Sequence, residues 1–384
     1  MPTRRCHVGP LLAAALCAAV SRADDITQII NQATLGEYQG YLRVLTGVDP
    51  VPGVTPETHL QNRYSYYNDI RVAGQWIADE FTALGLNASF DTFNAAMGPN
   101  VVGELPGRTR PADIYILCGH LDTYHDPDQS HAPGCDDDGS GVAAVMTAAR
   151  ILSRYRFEAT IRFIAWSGEE QWMVGSQDYA ADARSAGENI VGAINFDMIL
   201  HPGFDNQEPD PDYDLDIESN AASEWLAQHM AAQMAAYTPL VYEVHVDPNL
   251  VSDHWAFWQC GYDAIGLCEN TAYEIWGGSN DTYHQLTDTI YQADFDWSFA
   301  LHTVRGGMAG LVSLAGLVPV VPGDVNCDGA VDFDDINPFV LRLTSAAGYR
   351  AAFPDCPDAH SDVNGDGVVD FGDINPFVSL LVRQ

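Results

Sequence analysis

Four short apolar runs alternate with segments of helical period between Asp24 and Gly316. ADIYILCG, TIRFIAW, IVGAINFD and DAIGLC are short and largely apolar, which marks them as buried strands. YNDIRVAGQWIADEFTALGL, SGVAAVMTAARILSRY, SEWLAQHMAAQMAAY and FDWSFALHTVRGGMAGLVSLAG place apolar side chains three and four residues apart, as helices do. Buried strands alternating with helices imply an α/β domain over residues 24–317, a mostly parallel central sheet flanked by helices. In such sheets ligands collect beyond the carboxyl ends of the strands.

That rule sorts the acidic residues. HLD follows the first run, Glu169 and Glu170 follow the second, and Asp197 ends the third. The loop HAPGCDDDGSG, residues 131–141, sets Asp136, Asp137 and Asp138 side by side between the first strand and its helix. Adjacent carboxylates repel, so a compact fold crowds them only around a cation. His120 and Asp122 stand two apart on an extended segment and face the same way. A ligating histidine usually donates its other ring hydrogen to a carboxylate, so HLD reads as a ligand with its support. Adjacent Glu169 and Glu170 point apart, leaving one to bind metal and the other free. Asp197 and the distant His284 of DTYHQLTDT complete a nitrogen and oxygen donor set suited to zinc. A calcium loop needs donors at every other position, a spacing that DDDG lacks. Singly, each piece has a plainer reading: a structural histidine, a solvated glutamate pair, a turn. Their order along one sheet edge favours the metal.

The motifs GHLDT, APGCDDDGSG, WSGEE, NFDM, SDHWAFWQCGYDA and YHQLTDT span residues 119–289. They resemble the zinc-dependent exopeptidases that include secreted bacterial leucyl aminopeptidases, glutamate carboxypeptidases and glutaminyl cyclases, the bacterial aminopeptidases above all. The resemblance implies a peptide substrate and two zinc ions. Asp137 would bridge them, Glu170 and His284 would complete one site, and His120 and Asp197 the other. Glu169 would be the general base and Asp122 the partner of His120. Asp136 and Asp138 would flank the bridge, and the Asp137–Asp138 peptide would be cis. Tyr283 would either hydrogen-bond the developing oxyanion or simply pack. The implied activity is removal of an amino-terminal residue, bulky and apolar, with carboxypeptidase or glutaminyl cyclase chemistry as the alternatives. Trp172, Met173, Tyr273 and Trp276 are candidates for an apolar pocket or for core. His125, His131, His201, His245 and His254 receive no metal role. No arginine stands out as a clamp for a substrate carboxylate.

Beyond a linker VPVVPG, residues 318–323, the chain repeats itself within residues 324–384. Asp324, Asn326, Asp328, Asp332 and Asp335 fall at positions 1, 3, 5, 9 and 12 of a calcium loop, and Asp362, Asn364, Asp366, Asp370 and Asp373 do the same. Gly329 and Gly367 take position 6, and DINPFV follows each loop. Position 12 is aspartate where an EF-hand has glutamate. Two loop-helix units without an entering helix resemble a dockerin, which implies a small all-α module, two calcium ions and a cohesin-like partner. A calcium-stabilised tail is the plainer reading, and an anchoring protein without catalysis is the non-enzyme alternative for the chain.

All 17 basic residues are arginine and the formal net charge is -36. The absence of lysine removes Schiff-base chemistry and phosphate-loop lysines. So acidic a surface argues against nucleic acid or an anionic membrane as partner. Residues 1–23, with Arg4 and Arg5 before PLLAAALCAAV and small residues at Ser21 and Ala23, read as an export signal removed on secretion. The expected location is extracellular or periplasmic, where disulfides form. Cys327 and Cys356 are the favoured pair. Cys118, Cys135, Cys260 and Cys268 are either paired or buried thiols.

Overall fold

The computed structural model of the chain describes residues 25–125, 129, 131–202, 214–271, 275, 280–354 and 356–382. The export-signal segment, and Tyr273 and Trp276 of the expected pocket, lie outside the described residues.

One eight-stranded sheet organises the larger part. Its strands are β1 (Asn87–Asp91), β2 (Asn100–Leu105), β3 (Arg110–His120), β4 (Ala159–Trp166), β5 (Asn189–Phe196), β6 (Leu215–Ser219), β7 (Tyr242–Val246) and β8 (Ala264–Cys268). Their spatial order is β1-β2-β4-β3-β5-β8-β6-β7. The four apolar runs became β3, β4, β5 and β8, which pair in parallel at the centre. The expectation of a mostly parallel sheet is corrected at the margins. There β1–β2, β2–β4 and β6–β8 pair antiparallel, so the sheet is mixed. The chain passes from β1 to β2 without a helix, and antiparallel pairing needs no crossover.

Helices cover both faces. Leu35–Leu45, Gly141–Leu152, Glu224–Tyr237 and Trp297–Ala315 build the larger core, while Val174–Ala186 and Asp253–Gln259 build the smaller one. β3 shows why the middle of its run, Ile114 to Cys118, had to be apolar. Tyr115 and Leu117 enter one core, and Ile114, Ile116 and Cys118 the other. Each aliphatic side chain so buried contributes about 1.5–3 kcal/mol. Register then sets the site: Cys118 lies opposite Asn195 on β5, so His120 and Asp197, two residues on, end level with one another.

The C-terminal part has helices Ile336–Thr344, Ala346–Ala352 and Ile374–Leu381. Its two loops carry the same hydrogen bonds. Asp324 Oδ2 accepts from Gly329 N at 3.2 Å, and Asp362 Oδ2 from Gly367 N at 2.9 Å. Asp335 and Asp373 each accept from main-chain amides nine and three residues before them. Gly329 and Gly367 have φ of 91° and 88°, the left-handed turn that position 6 demands. The repeats meet through stacked Phe339 and Phe377, 4.3 Å between centroids. Cys327 and Cys356 form a disulfide. Cys118, Cys135 and Cys268 are buried free thiols, and Cys260 is a free thiol of intermediate exposure.

This module lies against the sheet domain. Arg154 Nη2 pairs with Asp362 Oδ2 at 3.0 Å, and Ala359 N donates to Arg154 O at 3.1 Å. Gln28 Nε2 donates to Gly365 O at 2.9 Å, and Arg350 Nη1 to Ala83 O at 3.0 Å. The 318–323 segment is itself tied down, with Val318 N donating to Arg156 O at 2.8 Å and Gly323 N to His360 O at 2.8 Å.

Candidate metal centre

His120 ends β3, Asp197 follows β5, and Glu169 and Glu170 sit just past β4. Asp137 comes from the turn Cys135–Ser140 ahead of helix Gly141–Leu152, and His284 from the loop before helix Trp297–Ala315. The fold brings the five expected donors together around Asp137. Its Oδ1 lies 3.2 Å from His120 Nε2 and its Oδ2 lies 3.3 Å from His284 Nε2. His120 Nε2 is 3.6 Å from Asp197 Oδ1, and His284 Nε2 is 3.0 Å from Glu170 Oε2. The Asp137–Asp138 peptide is cis.

The flanking aspartates are spent on the scaffold. Asp138 accepts from His120 N at 2.9 Å and Gly141 N at 2.8 Å, tying the turn to β3. Asp136 accepts from Leu200 N and Asn280 Nδ2, both at 3.0 Å. Asp122 differs from expectation. His120 Nδ1 sits 3.0 Å from the Asp122 main-chain carbonyl and 3.8 Å from its carboxylate. The carboxylate is already filled, accepting from Ser65 Oγ at 2.9 Å, Glu169 N at 3.1 Å and Glu170 N at 3.2 Å. Asp122 therefore orients His120 through its backbone and the glutamate pair through its side chain.

A cavity of ≈ 320 Å³ opens on the cluster, lined by Glu169, Glu170, Met173, Tyr283 and His284 among others. Trp172 stands at its rim, 79% exposed. Tyr283 stacks on His284 at 3.8 Å. Trp172, Met173, Met198 and His284 have positive φ, between 54° and 69°, and all line this cavity. Non-glycine residues in that region cost about 1–3 kcal/mol each, strain that proteins tolerate chiefly at functional sites.

The electrostatics ask for cations. Burial drives Asp137 upward, but hydrogen bonds from His120 and His284 outweigh it and hold it below the ordinary carboxylate range. Burial likewise opposes charge on His284, yet bonds to Asp137 and Glu170 push it up to about 10. Burial raises Glu170 to about 7 and lifts Glu169 well above the ordinary value. A cluster that would keep buried imidazoles protonated suits divalent metal better still. Glu170 Oε1 is buried and has no hydrogen-bond partner among the described residues, which leaves a lone pair for a metal ion. The residues thus fit the donor chemistry of zinc.

Sequence reasoning missed several supports. Asp288 accepts from Asp136 N at 2.8 Å and Asp137 N at 3.1 Å. Ser252 donates to Asp197 and accepts from Asn195 Nδ2 at 2.9 Å. Arg63, 1% exposed, reaches Leu121 O, Pro133 O and Gly134 O and holds the turn from behind. Asp288 and Ser252 lay in the motifs TDT and SDH, whose contacts no local pattern reveals. Nothing in the sequence marks Arg63.

A sheet edge furnished in this way puts the chain in the class of α/β proteins with the donors to hold metal beside a further carboxylate. Residues 100–304, over half of the 384, match Peptidase family M28, and the chain belongs to that family. A probable zinc metalloprotease of Pyrenophora tritici-repentis is 28% identical over 295 residues, covering 66% of this chain and 59% of that protein. The chain thus spans about three-fifths of the length of such fungal relatives. A probable lipoprotein aminopeptidase, LpqL of Mycobacterium tuberculosis, is 28% identical over 231 residues, 56% of this chain and 44% of that one. Among solved structures, the LapA aminopeptidase of Legionella pneumophila shares the fold. Its TM-score is 0.63 at 17% identity, over 83% of this chain and 79% of that one.

Proposed function

We propose that the chain is a secreted two-zinc aminopeptidase that hydrolyses the amino-terminal bond of peptides. The observation that carries this is the split between neighbouring glutamates. Glu170 contacts His284 at 3.0 Å and joins the cluster. Glu169 lines the same cavity but forms no ion pair with an imidazole among the described residues. Asp137, Glu170 and His284 would hold one zinc ion, and Asp137, His120 and Asp197 the other. Bound there, zinc supplies Lewis-acid polarisation of the scissile carbonyl and makes water more acidic. Glu169 takes the proton from the attacking water and returns it to the departing amine. Asp122 keeps that carboxylate in place through the Glu169 amide. Tyr283, stacked on His284, offers its hydroxyl to the carbonyl oxygen as charge develops there. The acidic wall of Asp197 and Glu169 suits a free α-amino group. No arginine stands among the described lining residues to hold a carboxyl terminus. Met198, Val251, Cys268 and Ile275 give the side-chain pocket apolar walls for a bulky residue.

The reading extends to the rest of the chain. Residues 1–23 would direct export to the periplasm or outside the cell. Each terminal loop would bind one calcium ion, supported by the matching hydrogen bonds around Asp324 and Asp362, and the dockerin-like module would meet a cohesin-like partner.

The test uses chelator-stripped protein reloaded with zinc, assayed on leucyl-anilide and its N-acetylated form. Only the free amine should be cut, and Glu169→Gln should lower the rate about 10²–10⁴-fold while still binding two zinc ions per chain. Cleavage of neither compound by zinc-loaded protein, or full activity in Glu169→Gln, would overturn the proposal.

A further inference from the structure

The imidazole of His284 meets two tyrosine rings. Tyr283 stacks on it inside the cavity, while Tyr124, which is not among the cavity's lining residues, meets it edge-on at 5.0 Å between centroids. From Tyr124 a strip of rings runs outward. Tyr124 lies 6.3 Å from Tyr64, and Tyr64 lies 5.6 Å from Tyr66 and 5.5 Å from Tyr67. Tyr66 is 48% exposed and Tyr67 42%, and none of the four joins a buried apolar cluster among the described residues. Core packing therefore does not account for them. The strip is tied to the frame that holds the metal donors. Ser65, between Tyr64 and Tyr66, donates through Oγ to Asp122 Oδ2 at 2.9 Å, and Arg63 N donates to Thr123 Oγ1 at 3.1 Å. Tyr64 N donates to Asn62 Oδ1 at 2.7 Å and Tyr67 N to Tyr64 O at 2.8 Å, which closes the turn that presents the rings. An exposed aromatic patch so anchored beside a candidate metal centre marks a binding surface.

We propose that this strip binds the substrate residues that follow the scissile bond, and that it selects peptides with aromatic side chains at their second and third positions. The inference rests on the aminopeptidase reading and extends it beyond the first residue of the substrate. In that reading the amino-terminal side chain takes the apolar walls at Met198, Val251 and Ile275, and the scissile bond lies among Asp137, Glu169 and His284. The rest of the peptide must leave past one edge of this group, and the strip starts at one of its members, His284. Extended chain advances about 3.3–3.6 Å per residue. The rings follow one another at steps of 5.0–6.3 Å, so the next few residues stay within their reach. The tyrosine rings are tilted against one another by 47–78°, which leaves edges and faces open to further rings in the edge-to-face arrangement that aromatic pairs favour. Each added ring pair is worth about 2- to 10-fold in binding beyond the area it covers. Tyrosine makes such contacts at low entropic cost, because its side chain turns about only two bonds. Glycine at the same substrate positions would leave the rings in water.

Two measurements on the zinc-loaded full chain test this. The first compares kcat/KM for the tripeptides Leu-Phe-Phe, Leu-Arg-Arg and Leu-Gly-Gly, which share a first residue. The wild type should prefer Leu-Phe-Phe to Leu-Gly-Gly at least about 10-fold, and the double variant Tyr66→Ala, Tyr67→Ala should lower that ratio at least about 3-fold. The second, by calorimetry, needs no turnover. It uses the same peptides with the first amide reduced to a methylene-amine, which cannot be hydrolysed, and should give the same order. If no tripeptide is cut, yet the reduced phenylalanyl peptide binds more tightly than the glycyl one and the double variant loses the difference, the aminopeptidase reading fails and the surface assignment stands. Equal binding of these two by the wild type overturns the assignment, and that comparison needs no variant to fold. Tighter binding of the arginyl peptide overturns the aromatic class. A preference that survives the double variant overturns the strip, and its loss in Trp172→Ala instead would route the peptide over the exposed rim of the cavity.

Discussion

Asp288 shows how a residue that is not itself a candidate ligand can govern the metal site. It is 2% exposed, and both carboxylate oxygens accept amides of the turn that presents Asp137. Burial pushes it up to about 8, against the hydrogen bonds from Asp136 and Asp137. Asn at 288 keeps the shape but turns one acceptor into a donor facing an N–H. We expect Asp288→Asn to cost about 1–3 kcal/mol in thermal unfolding. Zinc affinity, read by competition with a chelator, should fall about 10–100-fold as the turn shifts. An unchanged zinc affinity would show that Asp137 is positioned by other contacts. Most of the donor cluster was legible because His120, Glu169, Glu170 and Asp197 sit at strand ends, where short motifs keep their meaning. Glu218 and His254, which also line the cavity, were not, because a glutamate in LDIES and a histidine in SDHW are unremarkable until antiparallel pairing brings their strand and helix to one cavity.

Among the elements, β3, β4, β5 and β8 could be read from sequence because each is buried over most of its length and carries a short, mainly apolar run. β1, NASFD, and β7, YEVHV, are edge strands with polar, partly exposed side chains, and nothing in them outweighs a loop. β6, LDIES, is fully buried yet carries two acids, which masks it. The pairing of β6 with β7 gives a pH signature. The His245 bond to Asp216 raises the imidazole to about 9 against its burial, from an ordinary 6.5. The folded state thus holds the proton more tightly than the unfolded one, and the benefit is complete below about pH 6.5 and gone above about pH 9. With the imidazole partly exposed, we expect about 1–2 kcal/mol. His245→Gln should therefore be less stable than wild type by that amount at pH 6 in urea unfolding, and equal to it near pH 10. A gap that does not change with pH would assign the loss to packing.

At the scale of the whole molecule, the terminal module and the sheet domain share a charge. Arg154 belongs to the sheet domain, Asp362 opens the second of the repeated terminal loops, and their side chains are 9% and 6% exposed. The same carboxylate oxygen also accepts from Gly367 N, and Oδ1 accepts from Gly365 N. Asp362 thus answers to two cations, the guanidinium across the interface and the calcium proposed for its own loop. Gln28, bonded to Gly365 O, lies on the same seam. Removing one partner of a buried pair costs about 3–5 kcal/mol, because the other is left charged and uncompensated. In Arg154→Gln the second loop would hold Asp362, Asp366, Asp370 and Asp373 with no cation but calcium. Wild-type protein treated with chelator should keep its module docked and resist limited proteolysis near residues 318–323. Arg154→Gln should resist only while calcium is present, and should be cut rapidly once it is chelated, because a ligand that binds the folded loop alone offsets the lost pair. If chelation opens both proteins equally, calcium alone orders the module and Arg154 only decorates the interface. If it opens neither, the second loop binds no calcium that matters to docking.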